Sequence, residues 1–197
     1  MSGPAPLAAE PPLCVDLDGT LIRGDTLRIS VLAIARRAPW LLLALPLALL
    51  RGRAALKGWV AARYIPDPSR LPWRVEVVAF VKAERERGRR VVLATAAHRK
   101  VAEAVSTHLG LFEGVIATDG ALNAKGVAKV VQILKSLGEN NFDYIGDSPA
   151  DLPVFMAARH CYLVDPSDDL RRAVTSVATV AGEFPAGPQA RPAGGAA

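Results

Sequence analysis

From Trp73 to about Asp165, strand-like and helix-like segments alternate, and this order constrains the fold more than any other feature of the 197-residue chain. A helix is predicted to start at Pro72 and to end at Gly88. The strands RVVLAT, GVIAT, FDYIGD and CYLVD follow it, each separated from the next by a helical segment. Alternation at this spacing predicts a parallel sheet with helices on both faces. Right-handed crossovers would make this α/β sheet doubly wound.

An earlier apolar run, beginning at Cys14, ends in two acids that are one residue apart, Asp16 and Asp18. If the strand period continues, both carboxylates point the same way and crowd one spot. Like charges at close range raise one pKa unless a cation lies between them. The pair is also compatible with an N-cap or an Asx-turn where the strand ends. These residues alone leave both interpretations open.

Further polar side chains follow the other predicted strands. Thr95 ends the second strand, Asp147 and Asp151 follow the FDYIG strand, and Lys125 lies at the start of the helix between them. Each has a local explanation, as a helix cap, a solvated lysine or a turn. However, ligands of open parallel sheets bind outside the carboxyl ends of the strands. Acids, a hydroxyl and an amine that converge on this edge predict a functional site.

The four segments, taken in order, resemble the four motifs of the haloacid dehalogenase superfamily. DLDGT looks like the first motif, Thr95 in LATAA the second, Lys125 in NAKG the third and GDSPAD the fourth. The resemblance covers about residues 12 to 165. NAKG and the helical insertion are most similar to the phosphoserine-phosphatase-like branch. ATAA stands where true phosphoserine phosphatases have a glycine-rich segment, which argues against phosphoserine as the substrate but not against the chemistry.

The resemblance implies a catalytic pair and a cofactor. Asp16 would be the nucleophile that forms an aspartyl-phosphate, and its second oxygen would bind Mg²⁺, a hard ion that prefers oxygen ligands. Asp18 would act as general acid and then general base, and its backbone carbonyl would also bind the metal. Dehalogenases proper need no such second acid, so Asp18 favours phosphoryl transfer.

The remaining motif residues would complete the site, again by resemblance. Asp147 would be the third metal ligand, and Asp151 would act through a water molecule or by fixing Lys125. Thr95 and Lys125 would hold the phosphoryl oxygens and offset their charge in the transition state.

The long gap between the first two motifs predicts an inserted lid. We expect the following division of the chain: a disordered N-terminus over residues 1–11, a catalytic core over 12–23 and 73–175, a helical C1-type cap over 24–72, and a disordered tail or linker over 176–197. Such lids select the substrate and exclude water.

The cap contains PWLLLALPLALL, with seven leucines between Leu41 and Leu50. A membrane-spanning helix needs roughly 20 apolar residues. Here arginines at 36, 37, 51 and 53 bracket a shorter run, which Pro46 would kink. The segment therefore predicts either a small bundle packed on itself or a helix that contacts a membrane surface or a lipid chain.

A second, narrower resemblance concerns the substrate. The Leu- and Arg-rich cap and the Ala/Pro tail look like the phosphatase domain found ahead of polyprenyl-transferase membrane domains. This implies a lipid-linked phosphosugar such as a polyprenyl-phosphoryl-5-phosphoribose, and a membrane prenyltransferase as partner. The alternatives are a small soluble phosphate ester such as phosphoserine, and a non-catalytic module that assembles with a membrane partner.

Charge and cysteine content bound the remaining partners and the compartment. The net charge of +5 suits an anionic substrate or a membrane surface, and no nucleic-acid-binding motif accompanies it, so we expect no nucleic acid partner. Cys14 and Cys161 each begin an apolar run and are predicted to be buried thiols in a reducing compartment. We expect a cytoplasmic protein, placed at the inner face of the membrane if the cap contacts lipid.

Overall fold

The computed structural model describes residues 10–120, 124–138 and 140–186. Its centre is one six-stranded parallel sheet with the strand order β3-β2-β1-β4-β5-β6. The strands are β1 (Leu13–Val15), β2 (Val91–His98), β3 (Gly114–Thr118), β4 (Asp143–Gly146), β5 (Cys161–Val164) and β6 (Val180–Phe184). The strand order reverses between β1 and β4, which is the topological switch point of an open α/β sheet.

Helices cover both faces of this sheet. They are α1 (Thr26–Arg37), α2 (Leu45–Leu50), α3 (Arg53–Ala61), α4 (Val75–Glu86), α5 (Arg99–Leu109), α6 (Val127–Leu137), α7 (Leu152–Ala157) and α8 (Asp168–Thr175). Leu13 and Val15 pack with α4 and α5, whereas Cys14 between them packs with α6, α7 and α8. Alternate residues of β1 thus point to opposite cores, as the strand period requires. The predicted doubly wound α/β fold is confirmed.

The segment between β1 and β2, for which the sequence predicts a cap, is mostly helical. Helix α1 begins at the Asp25 N-cap, whose carboxylate accepts a hydrogen bond from the Arg28 amide at 2.9 Å. A 3-10 helix (Pro39–Ala44), α2 and α3 follow, and Lys57 on α3 donates to the Ala96 carbonyl of β2 at 2.6 Å. Among the described residues, no helix has both the length and the apolar character needed to cross a bilayer.

Two parts of the predicted termini differ from expectation. The prediction of a disordered tail from residue 176 is wrong for β6, which pairs in parallel with β5. Phe184 packs against Phe80 with ring centroids 5.3 Å apart, a tertiary contact that the Ala- and Gly-rich composition does not reveal. Pro11 is buried rather than disordered, and its carbonyl accepts a bond from Arg89 Nε at 2.7 Å. Residues 1–9 and 187–197 lie outside the described part of the chain.

Candidate active site

Three carboxylates meet at the switch point of the sheet. Asp16 directly follows β1, Asp147 directly follows β4, and Asp151 ends the 3-10 turn (Pro149–Asp151) that leads into α7. Each side chain offers one oxygen, and these three oxygens lie within 4.8 Å of one another. Asp16 and Asp151 are buried, and Asp147 is partly buried. The fold therefore joins the first and fourth predicted motifs into one acidic cluster.

The cation inside this cluster is Lys129, on the first turn of α6. Its ammonium is 3.2 Å from Asp16 Oδ1, 2.9 Å from Asp151 Oδ1 and 2.9 Å from the Tyr144 hydroxyl. Only 1% of Lys129 is exposed. Burial alone would disfavour the ammonium, but the two carboxylates outweigh it and raise the pKa of Lys129. Lys129 thus remains charged and holds Asp16 and Asp151 together.

Asp18 occupies a separate position, at the junction of core and cap. The Thr26 amide, in the first turn of α1, donates to Asp18 Oδ1 at 2.7 Å, and the Thr26 hydroxyl lies 3.2 Å from Oδ2. Burial raises the pKa of Asp18 to about 6, with a smaller contribution from Asp25, while the bonds from Thr26 oppose the shift. A carboxyl with a pKa near neutrality can both give and take a proton, as general acid–base catalysis requires.

The turn after Asp18 contacts the Asp147 side chain and fixes its position. The Thr20 hydroxyl donates to Asp147 Oδ1 at 2.8 Å. Gly19 has φ +82°, and a Cβ at this position would lie 2.0 Å from Asp147 Oδ2, so only glycine fits. Arg74, at the start of α4, donates to the Gly19 carbonyl at 3.0 Å and to Asp165 at 3.0 Å. The DLDGT turn is therefore anchored to β4, β5 and α4 at once.

The two predicted phosphate-binding residues lie differently from one another. Thr95 on β2 is fully buried, and its hydroxyl accepts a bond from the Ala97 amide at 3.0 Å. Lys125 is exposed and lines the mouth of the cavity over the carboxylates. The lysine that touches Asp16 and Asp151 is Lys129, four residues further on. The structure thus places Lys129 within the acidic cluster and leaves Lys125 as an exposed residue of the cavity lining.

A cavity of about 550 Å³ separates the carboxylates from the cap. Its floor includes Asp16, Asp18 and Asp147, and its roof is formed by side chains of α2 and α3. The roof combines apolar and basic residues, namely Leu49, Leu56, Val60, Arg53 and Lys57. Core and cap therefore enclose one pocket, in which acids face cations and leucines.

The acidic cluster fits a divalent cation. Burial, which outweighs Lys129, raises the pKa of Asp16 to about 8, and burial likewise raises that of Asp147 to about 6. One ammonium therefore does not offset three clustered carboxylates. Carboxylate oxygens are also the ligands that Mg²⁺ prefers. Asp16, Asp147 and Asp151 would hold such an ion.

Several residues of the site were not predicted from the sequence. The residues that the sequence did not identify as part of the site are Lys129, Thr26, Thr20, Arg74 and the cap residues Arg53 and Lys57. A signal for Lys129 does exist, because it shares a helix face with Ile133 and Leu137, which are both buried on α6. A lysine within a buried apolar stripe needs an anionic partner. For Arg74 and Lys57 the sequence offers no comparable signal, because the groups that they contact belong to distant segments: the Gly19 carbonyl and Asp165 for Arg74, and the Ala96 carbonyl for Lys57.

Comparison with known proteins agrees with this geometry. Over 153 residues the chain is 37% identical to the uncharacterized protein y4nM of Sinorhizobium fredii, covering 78% of this chain but only 30% of that protein. A protein of unknown function from Bordetella pertussis Tohama I superposes with a TM-score of 0.68 at 21% identity, covering 88% of this chain and 98% of that one.

Phosphoserine phosphatase is also among the structures with the same fold. Its apo form gives a TM-score of 0.61 at 16% identity, covering 89% of this chain and 93% of that one. A phospho-aspartyl intermediate analogue of phosphoserine phosphatase gives 0.57 at 17% identity over the same shares. Residues 13–156, which include the acidic cluster, Asp18 and both lysines, match the family of haloacid dehalogenase-like hydrolases. The chain belongs to this hydrolase family.

Proposed function

We propose that this chain is a Mg²⁺-dependent phosphatase that hydrolyses a phosphate monoester through an aspartyl-phosphate on Asp16. One observation carries the proposal: Asp16 lies against Lys129 and within reach of Asp147 and Asp151, while Asp18 lines the same cavity. A nucleophile, a metal ligand set and an acid–base group are therefore within one pocket. Bound Mg²⁺ would neutralise charge on the phosphoryl group and so let a carboxylate approach a dianion.

In the first step, an Asp16 oxygen attacks phosphorus and the bond from phosphorus to the ester oxygen breaks. Asp18, whose pKa of about 6 keeps part of it protonated near neutral pH, donates its proton to the departing alkoxide. The products are the free alcohol and phosphorylated Asp16. Lys129 holds the second oxygen of Asp16 and orients the carboxylate for this attack.

In the second step, Asp18 accepts a proton from a water molecule as the water oxygen attacks phosphorus. The bond from phosphorus to Asp16 breaks, inorganic phosphate leaves, and both carboxyl groups return to their initial states. Lys125, which is exposed and lines the cavity, is proposed to hold phosphoryl oxygens. Thr95 is buried and does not line the cavity, so its proposed contribution is indirect, through the hydrogen bond by which it fixes the cavity-lining residue Ala97. Asp18 is proposed to bind the metal through its backbone carbonyl.

We assign residues 24–72 as the C1-type cap and residues 12–23 and 73–175 as the core. The roof of the cavity supports an amphiphilic substrate, because Leu49 lines the cavity while 53% of its surface is exposed. An apolar chain could leave the pocket along Leu49, and Arg53 could contact an anionic group beside it. We therefore favour a lipid-linked phosphosugar, such as a polyprenyl-phosphoryl-5-phosphoribose, whose processing would suit a membrane prenyltransferase partner.

A small soluble ester such as phosphoserine is the second candidate. The polar floor of the cavity would accept it, but the leucines of the roof would then have no substrate surface to contact. A non-catalytic module is disfavoured by the buried Asp16–Lys129–Asp151 arrangement, because buried charges are costly to maintain without a function.

The direct test is to trap the phosphoenzyme. The Asp18→Asn variant should react with an aryl phosphate, whose good leaving group needs little protonation, but should hydrolyse the aspartyl-phosphate slowly. We expect mass spectrometry of the acid-quenched protein to show one added phosphoryl group on the peptide that contains Asp16. Asp119→Asn, at an exposed carboxylate paired with Arg99, is the control. Absence of the adduct together with unimpaired turnover in Asp18→Asn would contradict the mechanism.

Substrate class is tested separately with a panel of esters. The wild-type chain should hydrolyse long-chain alkyl phosphates and lipid-linked phosphosugars with a higher kcat/KM than phosphoserine. A preference for phosphoserine would reject the amphiphilic substrate and leave the phosphatase chemistry intact.

A further inference from the structure

We propose that the cap docks on the surface of an anionic phospholipid bilayer. The docking surface is defined by Trp40, Leu43, Leu47 and Leu50 and is called the outer face of the cap. This interaction does not depend on the phosphatase reaction, and it can be measured without turnover.

The outer face is unusually exposed for apolar residues. The exposed fraction is 67% for Trp40, 85% for Leu43, 57% for Leu47 and 85% for Leu50. The helices of this segment contact one another, as the predicted small bundle would, but these four side chains remain outside that packing. Large apolar residues exposed side by side mark a surface that binds a partner or a membrane.

Spacing places these four residues on one side of the cap. They lie three, four and three positions apart along the continuous 3-10 helix and α2. Such spacing brings side chains to one side of a helix. Ala48, on the opposite side of α2, is buried instead. The result is a two-sided segment with its apolar outer face directed away from the protein.

Charge identifies the partner. Residues 26–66 contain seven Lys and Arg and no Asp or Glu, so this segment is more positive than the entire chain, whose net charge is +5. The exposed arginines 36, 37, 51 and 53 flank the leucines at both ends. Leucine and tryptophan between basic residues are typical of segments that lie in the headgroup region of anionic bilayers. A second copy of the chain would bring two strongly positive caps together, which like-charge repulsion opposes.

The outer face also lies next to the entrance of the cavity. Leu49, which directly precedes Leu50, and Arg53, which is one of the flanking arginines, both line the cavity. A bilayer that contacts Leu50 and Arg51 would therefore be close to the cavity mouth. Docking in this orientation would present an amphiphilic phosphate ester to Asp16 without its complete removal from the membrane.

The test is co-sedimentation of the full chain with vesicles. We expect binding to vesicles of phosphatidylcholine mixed with phosphatidylserine at low salt, and little binding to phosphatidylcholine alone. Leu43→Glu and Leu50→Glu should abolish it. Val131→Glu is the matched control, because Val131 is 59% exposed on the core helix α6 and the change adds the same charge. Arg51→Gln should weaken partitioning about fivefold, whereas Arg172→Gln on α8 should not.

Other results would overturn the proposal. The proposal is wrong if the wild-type chain sediments with neither vesicle type at low salt. It is also wrong if Leu43→Glu and Val131→Glu reduce vesicle binding equally. Light scattering of the free protein adds a second criterion: a wild-type dimer that becomes monomeric in Leu43→Glu, with no lipid binding, would assign the outer face to a second copy. Unchanged aryl phosphatase activity and thermal midpoint in Leu43→Glu will show that the variant is folded.

Discussion

The catalytic edge of the sheet and the cap above it are built on opposite principles. At the sheet edge, Asp16, Lys129 and Asp151 are buried, and each charge has a named partner within 3.2 Å. On the outer face of the cap, leucines are up to 85% exposed. Every charged residue between positions 26 and 66 is positive. We therefore expect the core to determine the reaction and the cap to determine which substrate reaches it. The predictions below address this division, from the largest effect to the smallest.

Loss of the nucleophile should have the largest effect. Asp16→Asn should lower kcat for an aryl phosphate by at least about 10³-fold, because no other carboxylate can form the covalent intermediate. The measurement is steady-state hydrolysis with Mg²⁺ present, after exclusion of deamidation back to Asp by mass spectrometry. Near-normal activity would remove Asp16 from the centre of the reaction.

The two lysines should separate the buried site from its rim. Lys129→Met should lower kcat about 10²- to 10³-fold, because the charge next to Asp16 is lost. Lys125→Met should act less than tenfold and mainly on KM, because the side chain is exposed at the cavity mouth. Steady-state kinetics of both variants provides the comparison. If the larger loss occurs in Lys125→Met, the third motif acts as its sequence position implies.

Protons and Mg²⁺ should each stabilise the acidic site, and they should compete for the same carboxylates. Burial raises the folded-state pKa of Asp18 and Asp147 to about 6, above the ordinary value of 3.8. Burial raises the pKa of Asp16 further, to about 8. The folded state therefore binds more protons than the unfolded state, and without divalent cations stability should fall as pH rises from about 4 to about 8. The loss should be on the order of 3 kcal/mol for each of Asp18 and Asp147, because one pKa unit corresponds to about 1.4 kcal/mol.

Thermal unfolding with EDTA and with Mg²⁺ across this pH range measures the effect. The gain from Mg²⁺ should grow with pH, because its ligands must be deprotonated. A gain from Mg²⁺ that is equally large at pH 4 and pH 7 would contradict the assigned ligand cluster.

Alanine substitutions at two glycines of the loop after β1 should separate the effect of a steric contact from the effect of backbone strain. Gly19→Ala should lower kcat by up to about 10²-fold, because its Cβ would displace Asp147. Gly24→Ala has a similar positive φ of +113° but no atom within 4 Å of the new Cβ, so it should cost only about 1 kcal/mol of stability. Kinetics and thermal unfolding of both variants test this. Equal activity losses would show that strain, not the contact with Asp147, is responsible.

The roof of the cavity should have the smallest effect, and that effect should depend on the substrate. Leu49→Gln should raise KM about fivefold for a long-chain alkyl phosphate and leave an aryl phosphate unchanged. Leu32→Gln serves as the control, because Leu32 is 47% exposed on α1. An equal change in KM for both esters would show that Leu49 does not select the substrate by its alkyl chain.

Much of the fold was accessible from the sequence because its signals are local. Strand and helix periods, with glycines at their ends, predicted the parallel sheet, and the hydrolase family and fold class are confirmed. Asp16, Asp147 and Asp151 could be placed at one edge because parallel strands end on the same side. The cap assignment, the individual catalytic roles and the prenyltransferase resemblance remain predictions.

Tertiary structure decided what local patterns cannot express. Lys125 and Lys129 both precede the fourth motif, and the packing of α6 against β2, β3 and α7 brings Lys129 to 3.2 Å from Asp16. The leucines of the cap have the same sequence whether they pack inward or face solvent, and only the structure shows that Ala48 is buried while Leu43, Leu47 and Leu50 are exposed. Strand β6 pairs with β5, and its Phe184 packs against Phe80, which lies about a hundred residues earlier in the chain. In each case the free energy of folding depends on contacts between segments that are distant in the sequence. Local sequence patterns do not predict which of these contacts form.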